Sequence, residues 1–118
     1  MSQTYSVSLE KMIDFHKLET VYMPRSADEI LITTSEVNRP GIVLTGYTDY
    51  FDSLRIQILG WTEIGFIRSM EPDEREAALD CWLSLKPAAA VVTRGLEIPD
   101  YLYDACKKHE IPLLKTEE

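Results

Sequence analysis

The amino-acid sequence predicts one α/β domain with a partly parallel sheet, and three observations carry that expectation. The chain has 118 residues, 45% of them hydrophobic, which is enough for a single packed core. Its last third reads strand, helix, strand in "AAAVVT", "IPDYLYDACKKHE" and "IPLLK", an order that makes the two strands parallel and the crossover right-handed in nearly all cases. Upstream of that unit, helical spacing and strand-like runs of β-branched residues follow one another without an internal repeat or a low-complexity linker.

The first helix starts after Ser8, which is available as the N-cap, and puts Leu9, Met12, Ile13 and His16 on one face. "TVYM" and "EILITTS" carry residue types that suit strands, and "PRSAD" between them is a turn, so a hairpin or two neighbouring strands are expected. "RIQIL" alternates polar and apolar residues up to Gly60, which predicts a short strand with Ile56 and Ile58 on one face. "TEIGFIRSM" is a short helix capped by Thr62, with Gly65 costing about 1 kcal/mol inside it. "PDEREAALDCWLSL" is the clearest helix: Pro72 takes the first helical position, acids fill the first turn, and Ala78, Cys81, Trp82 and Leu85 make one stripe. The final helix places Leu102, Ala105, Cys106 and His109 on one face.

The net charge of −8 repels polyanions, and the basic residues are scattered, so nucleic acid is excluded as the main partner. No run reaches the ~18 apolar residues of a membrane helix, and "MSQTYSVSLEK" lacks the apolar core of a secretory signal. A cytoplasmic location is the resulting expectation. Cys81 and Cys106 sit among apolar neighbours at helical spacing, as buried free thiols do.

Two pairs of glycines, Gly41 with Gly46 and Gly60 with Gly65, have the five-residue offset of a phosphate-binding loop, but Tyr47–Thr48 and Phe66–Ile67 stand where Lys and Ser/Thr are needed. Neither pair can neutralise phosphate charge. The two histidines have no Cys, His or paired acid at metal-ligand spacing. Cys106 and His109 share an apolar stripe, which argues for an inert thiol rather than a nucleophile. Trp61, Tyr47, Tyr50 and Phe51 are aromatic enough to stack a base, though core or interface packing accounts for them as well. What remains is "NRPG" and "TRG", in which Asn38, Arg39 and Gly41, and Arg94 and Gly95, combine a cation with loop amides in the manner of an anion site. Two ordinary turns with solvated arginines explain the same residues.

The runs "TTSEVNRPGIVLTGYTDYF", "RIQILGWTEIGFI" and "VVTRGLEIPDYLYDACKKHEIPLLKT", in this order, closely resemble the N-terminal domain of the bacterial HPr kinase/phosphorylase, and "TRGL" with the later "IPLL" is shared with DRTGG domains. The resemblance implies a single three-layer α/β/α domain with a mixed sheet over residues 1–118, similar to the N-terminal domain of the muramyl ligases. It implies a non-catalytic regulatory and assembly role beside a phosphate-loop domain that phosphorylates and dephosphorylates HPr in carbon catabolite repression. ATP or pyrophosphate, magnesium and the HPr contact belong to that second domain, and a homo-oligomer is implied, a hexamer in the full-length family. The chain then reads as an excised piece or a stand-alone version of the domain. In one place the sequence departs from the family pattern: Glu110 stands where Gly is common between the His and the Ile, and a left-handed conformation there carries strain.

Three functions compete at this level: a regulatory and assembly domain without chemistry, a DRTGG-type sensor of a nucleotide or phosphorylated metabolite, and an interaction module that dimerises through apolar surface.

Overall fold

A computed structural model describes residues 7–32, 37–38 and 56–118. Along the chain these form β1 (Val7–Ser8), α1 (Leu9–His16), β2 (Glu19–Tyr22), a 3₁₀ turn (Ala27–Glu29), β3 (Leu31–Ile32), β4 (Val37–Asn38), β5 (Ile56–Leu59), α2 (Trp61–Ser69), α3 (Pro72–Leu83), β6 (Ala89–Val92), α4 (Asp100–His109) and β7 (Leu113–Lys115).

The main sheet runs β2-β7-β6-β5-β4. Strands β4, β5, β6 and β7 are parallel, and β2 is antiparallel on the outer side of β7, with Glu19 opposite Lys115. Because β5, β6 and β7 step across the sheet in one direction, right-handed crossovers put α2, α3 and α4 on the same face. The period of two along a strand then divides the core. Leu59, Ala90, Val92 and Leu113 pack beneath those helices against Ile64, Ile67, Leu79, Trp82, Leu83, Leu102 and Cys106. Ile56, Ala89, Val91 and Leu114 face the other way, toward Leu9, Ile30 and Ile32. The result is the expected three-layer α/β/α arrangement with a mixed sheet, its second layer made of α1 and the small β1–β3 pair.

Ser8 caps α1 by accepting from the Lys11 amide at 3.3 Å. The β6–α4–β7 unit and the pairing of Ile56 with Ile58 on one face follow the sequence expectation. Three local expectations need correction. "TVYM" and "EILITTS" do not pair with each other: β2 joins β7, whereas β3 joins β1, with Ser8 opposite Leu31. Residues 23–30 separate β2 from β3, more than the about two to five residues of common hairpin loops, and Pro24 with the 3₁₀ turn carries the chain to the other layer. Thr62 does not cap α2. Gly60 holds the N-cap position, and the buried Glu63 carboxylate accepts from its amide at 2.8 Å, one half of a capping box that a glycine cannot complete. On α3 the buried residues are Leu79, Trp82 and Leu83, and Cys81 is only half-buried, because Leu79 and Leu83, four residues apart, define a face rotated from the expected stripe.

Glu110 adopts φ 58° and ψ 45° directly after α4. Its amide donates to the Lys107 carbonyl at 3.3 Å, and that of Ile111 to Cys106 at 2.9 Å, the paired bonds of a Schellman ending. Buried Ile111 and Cys106 supply the accompanying apolar contact. A side chain at such a position carries about 1–2 kcal/mol of strain, against the ~0.5–1 kcal/mol that a glycine costs in chain entropy. Glu110→Gly is therefore expected to raise stability by up to about 1 kcal/mol in urea titrations, and lower stability in the variant would contradict the strain.

Candidate functional site

The carboxyl ends of the parallel strands carry Asn38, Trp61, Arg94 and Gly95 from among the residues that the sequence singled out. β5 ends at Leu59, followed by Gly60 and by Trp61, whose side chain is 66% exposed. Thr93 prolongs β6 by donating to the Leu59 carbonyl from its amide at 3.0 Å and from its hydroxyl at 3.2 Å. Thr93, Arg94, Gly95 and Leu96 then form a tight turn closed by Leu96 N–H to Thr93 C=O at 3.1 Å. Both central residues have positive φ, 60° at Arg94 and 64° at Gly95, the pattern of a type I′ turn. This explains the "RG" dipeptide, since only glycine adopts such φ at no steric cost.

The turn amides are not free, as an anion site would require. Arg94 N–H donates to the carbonyl of Glu118 at 2.8 Å, and Gly95 N–H to that of Thr116 at 2.9 Å. Thr116 N–H in turn donates to the Val92 carbonyl at 2.9 Å. The segment that follows β7 is thus laced to the end of β6. The Glu117 carboxylate lies so close to Gly95 that a Cβ there would meet Oε2 at 2.5 Å.

Asn38 ends β4, in register with Gln57 and through it with Ala90, four positions before Arg94 along the strand direction. Arg39 and Gly41, like Tyr47, Tyr50 and Phe51, lie outside the described residues. Arg94 and Gly95 are therefore brought together in one exposed turn. Ligand crevices of open α/β sheets form where strand order reverses, and the parallel strands described here run in unbroken sequence from β4 to β7.

A second polar cluster, which sequence reasoning missed, ties α3 to α4. Asp80 accepts from His109 Nε2 at 2.8 Å and from Lys108 Nζ at 3.1 Å. An ionised carboxylate only accepts, so the imidazole is the donor. His109 thus turns away from the thiol chemistry considered for Cys106, and burial pushes that thiol up to about 12. Nearby, the Arg75 guanidinium carbon lies 3.9 Å from the centroid of the Tyr101 ring, on the wall of a groove of about 360 Å³ between the two helices. Asp80 and His109 are 29 positions apart, and no local pattern announces such a pair.

The His109 hydrogen bond holds the Asp80 carboxyl below its ordinary value of 3.8, aided by Lys108 and opposed by desolvation. A carboxylate depressed on folding contributes stability above its unfolded pKa and loses it as pH falls through the folded value. Asp80→Asn is therefore expected to lose a small increment near pH 7, under about 1 kcal/mol because the side chain is 35% exposed. The gap between the two proteins should close below about pH 4, and a gap that stays constant down to pH 2 would contradict the ion-pair origin.

Among the described residues no group of three His, Cys, Asp or Glu side chains is placed to hold a metal ion, and no helix is long and apolar enough to cross a membrane. The fold and this edge define an α/β domain whose sheet end is occupied by its own chain.

The model of the family described as "HPr Serine kinase N terminus" matches residues 7–118, and the chain belongs to that family. It is 35% identical over 111 residues to the HPr kinase/phosphorylase of Clostridium perfringens, covering 94% of this chain and 36% of that protein. Its identity to the Lactobacillus johnsonii enzyme is 36% over 107 residues, covering 91% of this chain and 34% of the relative. The chain thus spans about 36% of the length of the curated relatives it matches. Among solved structures it is similar to the CBS and DRTGG domains of the regulatory region of Clostridium perfringens pyrophosphatase, complexed with the activator diadenosine tetraphosphate. That likeness has a TM-score of 0.59 at 17% identity, over 94% of this chain and 41% of the other, and it is a likeness of fold.

Proposed function

We propose that this domain is the non-catalytic N-terminal regulatory and assembly domain of a bacterial HPr(Ser) kinase/phosphorylase, acting in carbon catabolite repression in the cytoplasm. The observation that carries the reading is the family match across residues 7–118, a stretch that aligns to 36% of the Clostridium perfringens relative. ATP or pyrophosphate and magnesium then bind in the remainder of the enzyme, which also contacts HPr, and this domain contributes to a homo-oligomer. Neither glycine pair in this chain has the Lys that a phosphate loop requires. Incubated with labelled ATP, magnesium and HPr, the chain is expected to leave HPr without phosphoserine above a no-protein control, and phosphoserine on HPr would overturn the reading. Light scattering tests the assembly role, with a dimer or larger species expected and a strict monomer counting against it.

A DRTGG-type sensor is the second reading, favoured by the fold likeness to a regulatory region that was crystallised with an activator. In that reading Asn38, Arg39, Gly41, Arg94 and Gly95 contact a small anion. Calorimetric titration with diadenosine tetraphosphate and with sugar phosphates separates the two: heat lost on Arg94→Ala supports the sensor, and no heat removes it.

A further inference from the structure

A pocket of about 260 Å³ opens between α1 and the sheet, on the face away from α2, α3 and α4. Its body is apolar, formed by Met12 and Leu18 on one side and Ile58 and Val91 on the other. The polar groups stand at the carboxyl edge of the sheet, Thr93, Thr116 and Glu118, and His16 of α1 completes the polar part of the lining. An apolar chamber with a few converging polar groups is the ordinary form of a small-molecule site. Its size falls just below the ~300 Å³ at which drug-sized sites begin, which limits an occupant to one or two rings.

The hydrogen-bonding state of the rim decides the ligand's chemistry. The Thr93 hydroxyl spends its proton on the Leu59 carbonyl, so it offers lone pairs. Thr116 Oγ1 accepts from the Glu118 amide at 3.3 Å and retains its own proton and a further lone pair. The Glu118 carboxylate only accepts. Among the described residues no Lys or Arg lines the pocket, and the nearest turn amides, those of Arg94 and Gly95, are already bonded to backbone carbonyls. A phosphate or carboxylate would meet the acidic Glu118 with no described Lys or Arg in the lining to offset it.

We infer that this pocket is a binding site for an uncharged, planar nitrogen heterocycle that presents N–H donors to Thr93, Thr116 and Glu118. It lies on the α1 face of the sheet, and Arg94 is not among its described lining residues. Two of its polar groups, Thr116 and Glu118, belong to the segment laced to the Arg94–Gly95 turn, so an occupant holds that segment in place.

The test is a methyl and amide NMR titration of the chain with adenine, with inorganic phosphate and benzene as comparison probes. Adenine is expected to shift the methyls of Met12, Ile58 and Val91 and the amides of Thr93 and Thr116 in a saturable manner, and to slow exchange of the Arg94 and Gly95 amides. Phosphate is expected to leave all of these unmoved. Thr93→Val should weaken adenine binding about 5- to 10-fold, the effect of one hydrogen bond. Ile58→Phe and Met12→Phe each fill the pocket and should abolish binding, their melting curves showing whether each is folded. Absence of adenine shifts up to its solubility limit overturns the proposal, as do binding of benzene without adenine, phosphate shifts at the same residues, and equal affinity in Thr93→Val. Undiminished adenine binding in a folded pocket-filling variant also overturns it.

Discussion

Trp82→Ala is expected to destabilise the domain by about 3–5 kcal/mol, the range for truncating a fully buried aromatic residue. Trp82 is wholly buried between α3 and the sheet, in the cluster that joins Leu59, Val92, Leu102 and Leu113. Truncation leaves a cavity where α3, α4 and the βαβ unit meet, and the neighbours collapse into it only in part. The indole adds a second feature. Among the described residues its Nε1–H has no hydrogen-bond partner, and a buried unsatisfied donor costs about 1–3 kcal/mol. Trp82→Phe keeps most of the ring volume and removes that donor, so its loss should be about 1 kcal/mol or less by the offset of those two contributions. Urea unfolding of the three proteins gives the comparison. A phenylalanine variant as unstable as the alanine variant would mean that the indole nitrogen is bonded in the folded protein.

Gly95→Val should cost about 2–4 kcal/mol, although the residue is exposed and touches no core. A β-branched side chain at φ 64° is a backbone outlier, carrying of order 1–3 kcal/mol. Relief of that strain rearranges the turn and breaks the Arg94 and Gly95 amide bonds to Glu118 and Thr116, each worth about 0.5–1.5 kcal/mol. Two controls separate backbone from contact. Gly95→Asn tolerates the left-handed region and should lose about 1 kcal/mol or less. The double variant Gly95→Ala with Glu117→Ala removes the contact at 2.5 Å and should retain the αL penalty of about 1–2 kcal/mol. Full recovery in that double variant would place the cost in the Glu117 contact instead of the backbone.

Much of this fold was legible because its signals are local. Leu102 and Cys106 at helical spacing, the apolar run at Ala89–Val92 and the acids after Pro72 each report their own element, and the βαβ rule then joins the elements. The Glu110 ending was legible for the same reason, since Pro112 and the helix pattern confine the position at which the chain must turn left-handed. Pairing across the sheet was not. Nothing in "ETVY" states that its partner is "LLK" near the other end of the chain, because period-two alternation specifies a face and leaves the neighbour open. The α2 cap was misplaced because Thr62 is a good capping residue in isolation, whereas the buried Glu63 carboxylate reaches back to Gly60.

The candidate site shows the same division. That Arg94 and Gly95 form a tight turn at a strand end follows from residue types. That their amides are bonded to Thr116 and Glu118 does not, because it depends on where the chain travels after β7. The pocket was hidden for the same reason: Met12, Ile58, Val91 and Thr116 come from four separate segments, and each is unremarkable alone.

Amide hydrogen exchange at Arg94 and Gly95 tests the central claim most directly, namely that the carboxyl edge of this sheet is held by the chain leaving β7 rather than open as an anion site. Both amides sit in an exposed turn, so solvent exposure alone predicts exchange at nearly the free rate. The hydrogen bonds to Glu118 and Thr116 predict slowed exchange at both, together with Thr116, and its loss in Gly95→Val. Free exchange at Arg94 and Gly95 in the unmodified protein would contradict the account.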